Sequence, residues 1–149
     1  MKHLKKLLPM EKSIIAFMPI KPVYAEKIIS GKKKYEFRKK SINPDITHII
    51  IYATFPVKKI IGVAEVKRIH ISSPSAIWEK TKSAAGIPRR LFREYFQDVK
   101  MAYAIELKKI IKLNNQIAPD EIKNGFNIPQ SFSYVNAAFY RKVIHRGLM

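Results

Sequence analysis

The chain has 149 residues, which is enough for one domain with its own hydrophobic core. It contains no cysteine, and this excludes disulfide frameworks, thiolate zinc sites and cysteine nucleophiles. Its 29 Lys and Arg against 11 Asp and Glu give a net charge of +18, which is most easily tolerated where a polyanion neutralises it. Nucleic acid is therefore the first ligand hypothesis, with a solvated lysine-rich surface and an anionic membrane surface as alternatives.

Residues 1–12 are predicted to form a basic N-terminal tail or short helix. Their apolar stretch is too short for a secretory signal, and no small-residue cleavage site follows it. No apolar run in the chain approaches the roughly 18 to 20 residues of a membrane-spanning helix. We therefore expect a cytoplasmic protein that does not span a membrane.

The first predicted elements are a strand, a helix and a second strand. Residues 13–18 form a buried-strand candidate that Pro19 closes. A helix is predicted from Pro22 to about residue 30, because proline suits the first helical turn and Gly31 suits the position after the last. Residues 34–38 then alternate polar and aromatic side chains, which is typical of a half-buried strand.

The middle of the chain predicts two further strands followed by two helices. Residues 47–54 and 59–72 are strand candidates, and Gly62 is expected to mark a bulge or a barrel bend. A Ser-Pro-Ser cap precedes a helix over 76–84, and Pro88 opens another helix that runs to about residue 96.

A fifth strand is predicted over 101–108, and the sequence is less periodic from Lys109 onward. The basic segment 136–149 is expected to be a helix or a frayed tail outside a domain that spans 13–135. Short strands with helices inserted between them indicate an α+β fold built on a mostly antiparallel β-barrel of five to six strands.

The densest basic feature is the segment 31–40, in which six of ten residues are Lys or Arg. Its two aromatic residues, Tyr35 and Phe37, could stack on bases, as single-stranded nucleic acid requires. They alternate with the charged residues, however, and this pattern favours a core-facing orientation for both rings.

The pattern Gly31-x-Lys33-x-x-Glu36-x-Arg38, placed between a helix and a strand, resembles the signature of ASCH domains, a branch of the PUA-like superfamily. The likeness extends over roughly residues 14–135 and includes the segments 52–59, 61–66 and 129–132. It implies a small β-barrel with a cleft under the first helix, proposed in the family to bind RNA or a nucleotide-like ligand.

By this resemblance, Lys33, Glu36 and Arg38 line the cleft, and we predict a ligand-binding set of Lys33, Lys34, Glu36 and Arg38. Arg38 could form a fork to a phosphate or a base edge, while Lys33 supplies a point charge and Glu36 accepts from a base amino group. The alternative is an internal Glu36–Arg38 ion pair that closes the barrel.

Some ASCH proteins are amidohydrolases that deacylate modified cytidine with a lysine, a threonine and a glutamate. Lys33 matches the lysine, but Glu36 stands at the threonine position and residues 84–86 stand where the glutamate is expected. RNA or nucleotide binding is therefore our main hypothesis. An amidohydrolase or a weak ribonuclease, with Lys33 and Glu36 at its centre, is the alternative.

A second basic patch is predicted at Arg89, Arg90 and Arg93, near the start of a helix, where cations suit the helix dipole poorly. The lone tryptophan, Trp78, is either a stacking platform or, as is more common at helical spacing, a core residue. Glu65, in an otherwise apolar strand, is expected to be either a site residue or, the interpretation we favour, the partner of a strand lysine. The histidines lack metal-ligand spacing, and no metal or cofactor is predicted.

Overall fold

The computed structural model describes residues 12–149, so the predicted N-terminal tail lies outside the described residues except for its last position. These residues form one curled, six-stranded mixed sheet and four α-helices. The elements in chain order are β1 (Ile15–Ile20), α1 (Pro22–Ile29), β2 (Tyr35–Arg38), β3 (His48–Ala53), β4 (Lys59–Ser72), α2 (Pro74–Thr81), α3 (Arg89–Tyr95), β5 (Ala102–Ile117), β6 (Ser133–Val135) and α4 (Ala137–Leu148).

The strand order in the sheet is β2-β5-β4-β3-β1-β6, so β2 and β6 are its two edges. The β1–β3 pair is parallel, and the other four pairs are antiparallel. The long strands β4 and β5 pair with three register shifts, one of them beside Gly62. Such bulges bend the strands and curl the sheet into a half-barrel, and the predicted α+β, mostly antiparallel fold is confirmed.

The central strands β1 and β3 are buried on both faces, which is why their sequences are continuous apolar runs. Alternation along β1 sends Ile15 and Phe17 into a cluster with α4, while Ala16 and Met18 enter a second cluster with α1. A third cluster joins α2 and α3 to the β2–β5 end of the sheet. This third cluster forms the wall of the site described below.

Two strands, β1 and β5, end later in the chain than predicted. Pro19 does not close β1 but lies within it, because β6 pairs with only the first three residues of β1 and leaves the Pro19 edge without a strand partner. Strand β5 continues from Ala102 to Ile117 because it follows β4 along its length, although its later residues are mostly polar and exposed.

The C-terminal segment is a regular helix and not a frayed tail. Asn136 caps α4 by accepting a hydrogen bond from the Phe139 N–H at 2.8 Å. The helix buries Phe139, Tyr140, Val143 and Ile144 in the same cluster as β1. Residues 136–149, which the sequence pattern placed beyond the domain, therefore complete its core. Among residues 12–149, no helix is long and apolar enough to cross a membrane.

Candidate functional site

A cleft of about 470 Å³ lies between α1, β2 and α3, within the size range of small-ligand sites. Its walls are mainly apolar, and its charged side chains include three residues of the sequence signature. The aromatic residues that line it are Tyr24, Phe37, Phe92 and Tyr95. The charged ones are Lys21, Lys33, Glu36, Arg38 and Glu94.

Lys33 is the most buried charged residue that the structure describes, with 3% of its surface exposed. Its Nζ lies 4.5 Å from the centre of the Phe37 ring and 5.4 Å from that of Tyr24, so two aromatic faces surround the amine. Burial lowers the pKa of Lys33 from 10.5 to about 8, against the opposing effect of Glu36, and the nearby Lys27 lowers it further.

Residues 84–86 hold the basic end of α1 and the start of β2 in place. Their carbonyl oxygens accept, in order, hydrogen bonds from the Lys34 backbone N–H (2.9 Å), the Lys33 Nζ (2.7 Å) and the Lys27 Nζ (3.2 Å). Gly86 has a φ of +67°, and a Cβ there would lie 2.5 Å from the Lys33 Cβ. Glycine is therefore required for the loop to approach Lys33 so closely.

Glu36 and Arg38 form a nearly buried ion pair on β2. Glu36 Oε2 accepts a hydrogen bond from Arg38 Nη2 at 2.7 Å, and the two side chains are 9% and 11% exposed. The other carboxylate oxygen, Oε1, has no hydrogen-bond partner among the described residues. Glu36 therefore presents one fixed and one available acceptor at the cleft.

Arg38 also connects the two margins of the half-barrel. Its Nη2 donates to the Pro19 carbonyl on β1 at 2.7 Å, and its Nη1 donates to the Ser131 carbonyl just before β6 at 3.1 Å. The guanidinium on edge strand β2 thus bridges to the opposite edge of the sheet. Both terminal nitrogens make hydrogen bonds within the protein, as in the alternative of an ion pair that closes the barrel, and Arg38 also lines the cleft. Its predicted fork to a phosphate or a base edge stays a prediction.

Lys34, one of the four residues of the predicted ligand-binding set, does not line the cleft. Its side chain is exposed. Its backbone N–H donates to the Ala84 carbonyl, and its carbonyl accepts from the Leu107 N–H. Because side chains alternate along an extended segment, the inward position of Lys33 directs the Lys34 side chain outward. Of the four predicted residues, the structure brings Lys33, Glu36 and Arg38 together.

Sequence reasoning missed the rim of the cleft. Tyr95 donates a hydrogen bond to the Phe37 carbonyl at 3.3 Å, and the Lys39 Nζ lies 4.7 Å from the centre of the Tyr95 ring. Glu94, beside them, pairs with Arg90 at 3.2 Å. The aromatic stripe on α3 was visible in the sequence, but nothing local indicated that it faces β2.

The predicted basic patch on α3 divides in two. Arg89 and Arg93 line a second depression together with Trp78, whereas Arg90 points elsewhere and pairs with Glu94. Trp78 is half-buried and packs on Phe92 with ring centres 5.0 Å apart. It is therefore part of the third core cluster and also forms one side of the depression.

The remaining carboxylates of the sheet are paired with cations. Glu65 lies 3.4 Å from the Lys109 Nζ, the kind of partner that the sequence predicted. Glu106 accepts from His70 Nε2 at 2.8 Å and lies near Lys67 and Arg68. In the part of the chain that the structure describes, no group of His, Asp and Glu could hold a metal ion.

Comparisons with known proteins identify the class that this fold and cleft define. A family model described as the ASCH domain matches residues 18–111, and the chain therefore belongs to the ASCH domain family, within the PUA-like superfamily. The chain is 31% identical over 132 residues to an ASCH domain-containing ribonuclease of Zymomonas mobilis, covering 87% of this chain and 89% of that protein.

Solved structures agree with this assignment. The chain superposes on the crystal structure of ASCH from Zymomonas mobilis with a TM-score of 0.81 and 30% identity, covering 88% of this chain and 94% of that one. The N-terminal domain of Staphylothermus marinus McrB shares the fold at a TM-score of 0.57 and 13% identity, covering 89% and 93% of the two chains.

Proposed function

We propose that this protein binds single-stranded RNA by taking one unstacked base into the cleft. Glu36 is the observation that carries the proposal. The residue is 7% exposed, one of its carboxylate oxygens is fixed by Arg38, and the other has no partner among the described residues. A carboxylate oxygen in this state accepts hydrogen bonds from a base amino group, and the aromatic walls suit the faces of a base.

Lys33 supplies the complementary group. Its ammonium has three N–H donors and uses one of them on the Ala85 carbonyl. An acceptor beside an amino donor is the pattern found on the pairing edges of cytosine and adenine, whereas uracil has no amino group. The pair Glu36 and Lys33 therefore favours cytosine or adenine over uracil.

Phosphate attraction provides the rest of the affinity. The chain carries a net charge of +18, and Lys21 and Lys39 lie at the mouth of the cleft. The name of the similar Zymomonas mobilis ribonuclease supports RNA as the polyanion. Binding should weaken steeply with salt, because each neutralised phosphate releases counterions.

The test measures the affinity of labelled RNA octamers of cytidine, adenosine or uridine between about 50 and 200 mM salt. Glu36→Gln should lose about tenfold in affinity for the cytidine and adenosine octamers and little for the uridine octamer. Glu26→Gln is the matched control, because it makes the same charge change at an exposed residue of α1 that does not line the cleft. Equal behaviour of the two variants on all three octamers would overturn the proposal.

RNA cleavage is a second candidate function, favoured by the ribonuclease name of the relative and by the depressed pKa of Lys33. An amine with a pKa of about 8 is partly neutral at physiological pH and could take the proton of a ribose 2′-hydroxyl. The test incubates saturating RNA with the protein in the presence of EDTA. Lys33→Met should abolish the appearance of cleaved product, and cleavage that survives this substitution would exclude the lysine.

Deacylation of modified cytidine has less support. Lys33 is present, but Glu36, which stands at the threonine position, pairs with Arg38. Residues 84–86 bring no carboxylate to the position where amidohydrolase members of the family carry one. An assay with N4-acetylcytidine tests this alternative directly, and release of acetate would favour it.

A further inference from the structure

A second depression of about 400 Å³ lies on the other side of α3 from the cleft. Trp78 and Phe96 are among its aromatic residues, and Arg89 and Arg93 are its basic residues. Phe92 borders both the depression and the cleft, so the two are separated by one helix only. We refer to the depression formed by Trp78, Arg89, Arg93 and Phe96 as the Trp78 groove.

Helix α3 forms a ridge between the cleft and the Trp78 groove, and different side chains of the helix line each of them. Leu91 and Tyr95, four residues apart, line the cleft, whereas Arg89 and Arg93, also four apart, line the Trp78 groove. An α-helix with its side chains is about 10 to 12 Å across. A single nucleic-acid strand that leaves the cleft over this ridge therefore reaches the groove within a few nucleotides.

The groove carries unneutralised positive charge. Neither Arg89 nor Arg93 forms an ion pair within the described residues, and both side chains are exposed. Glu79, the acidic residue of the groove, is paired with Lys82 at 2.7 Å. The two guanidinium groups therefore suit phosphates, which they bind by charge and by paired N–H donors.

We infer that the Trp78 groove is a second nucleotide subsite, in which Trp78 stacks on a base and the two arginines bind its flanking phosphates. The inference rests on the proposed function, since it places the subsite along the RNA strand whose first base occupies the cleft. An aromatic platform beside cations is the arrangement that binds single strands without strict sequence preference. The groove adds length dependence to the base preference of the cleft.

Trp78 is the single tryptophan of the chain and lines the groove but not the cleft, so intrinsic tryptophan fluorescence reports on the surroundings of the groove. We would titrate the protein with cytidine monophosphate, with a cytidine dinucleotide and with the cytidine octamer. The octamer should change the emission of Trp78, and the monophosphate, which occupies the cleft, should not. An equal change with the monophosphate would overturn the assignment of the groove as the second subsite.

The groove is tested with a double variant that combines Arg89→Ala and Arg93→Ala. The control is a second double variant that combines Arg141→Ala and Arg146→Ala. The control removes two exposed arginines of α4 that line neither depression. The groove variant should bind the octamer about tenfold more weakly than the control does, and its salt slope should be smaller by about 1.4, the value for two lost phosphate contacts to a single strand. Equal affinities for the two double variants would overturn the inference.

The outcomes also separate the groove from the cleft. If Glu36→Gln behaves like its control while the octamer still changes Trp78 emission and the groove variant still loses affinity, the groove binds RNA and the cleft proposal fails. If Glu36→Gln loses affinity while Trp78 emission stays constant with every ligand, the cleft proposal stands and the groove inference fails.

Discussion

The Lys33 Nζ donates a 2.7 Å hydrogen bond to the carbonyl oxygen of Ala85, a residue 52 positions later in the chain. This bond places a buried amine beside Glu36 and fixes the loop that precedes α3. The loop, residues 84–86, follows α2 and binds the residues that lead into β2, the strand of the signature. Lys33 therefore determines both the chemistry of the cleft and the position of its wall.

The pKa of Lys33 should respond to its two charged neighbours in opposite directions. Glu36→Gln removes a charge that raises this pKa, so the value should fall below about 8. Lys27→Met removes a charge that lowers it, so the value should rise. Titration of ¹³C-labelled lysine Cε resonances by NMR measures both shifts, and a Lys33 signal that titrates near 10.5 in the unmodified protein would contradict the buried environment.

The same pKa predicts how stability depends on pH. Between pH 8 and about 10.5 the unfolded chain binds more protons at Lys33 than the folded one, so the free energy of unfolding rises with pH in that window. Across the whole window the free energy of unfolding should rise by about 3 kcal/mol, and the rise ends once the amine is neutral in both states. Urea unfolding of the unmodified protein and of Lys33→Met isolates the effect, and a pH-independent difference between the two would refute it.

Arg38→Ala should destabilise the protein more than it affects any ligand directly. It leaves Glu36 as a nearly buried, unpaired carboxylate and frees the carbonyls of Pro19 and Ser131, so we expect a loss of about 3 to 5 kcal/mol. Arg38→Lys should also destabilise, because one ammonium lacks the planar fork that reaches both carbonyls.

Guanidinium chloride unfolding measures the effect of both Arg38 variants. Arg141→Ala, an exposed position, serves as the control and should stay within about 0.5 kcal/mol of the unmodified protein. Midpoints for the Arg38 variants equal to that of the control would show that the bridge between the sheet edges is unimportant.

Two glycines with positive φ provide a matched test of the loop around Lys33. Gly31 has a φ of +84° and nothing within 4 Å of an added Cβ. Gly31→Ala should therefore reduce stability only by the backbone strain, about 1 to 2 kcal/mol. Gly86→Ala, at φ +67°, adds an overlap with Lys33 and should lose more. Thermal unfolding compares the two variants, and the opposite order would mean that Lys33 moves away freely.

Helix α4 should be indispensable for folding. Its four large buried side chains contribute about 1.5 to 3 kcal/mol each, which together is comparable with the whole stability of a small domain. A chain that ends at Asn136 should therefore lack cooperative thermal unfolding. Ile144→Ala should lose about 2 to 5 kcal/mol, and a truncated chain that melts like the full one would contradict the assignment of α4 to the core.

Some limits of helices and strands are marked by residues in the local sequence, and these limits were predicted. The limits of β4 at residues 59 and 72 were predicted as observed, and the Ser73 cap and Pro22 start mark α2 and α1 in both. The second half of β5 was missed because its polar residues take strand geometry only by pairing with β4. Helix α4 was left undecided because its burial depends on packing against β5 and β1, which nothing in the local sequence reveals.

The sequence by itself determined the signature spacing, the excess of positive charge and the placement of Lys33 and Glu36 near one helix end. These depend on residue types and on short-range geometry. Only the tertiary structure decided that Arg38 binds the carbonyls of Pro19 and Ser131, and that Arg89 and Arg93 separate from Arg90. A guanidinium binds whichever acceptors the fold brings within reach, and the chain order does not reveal them.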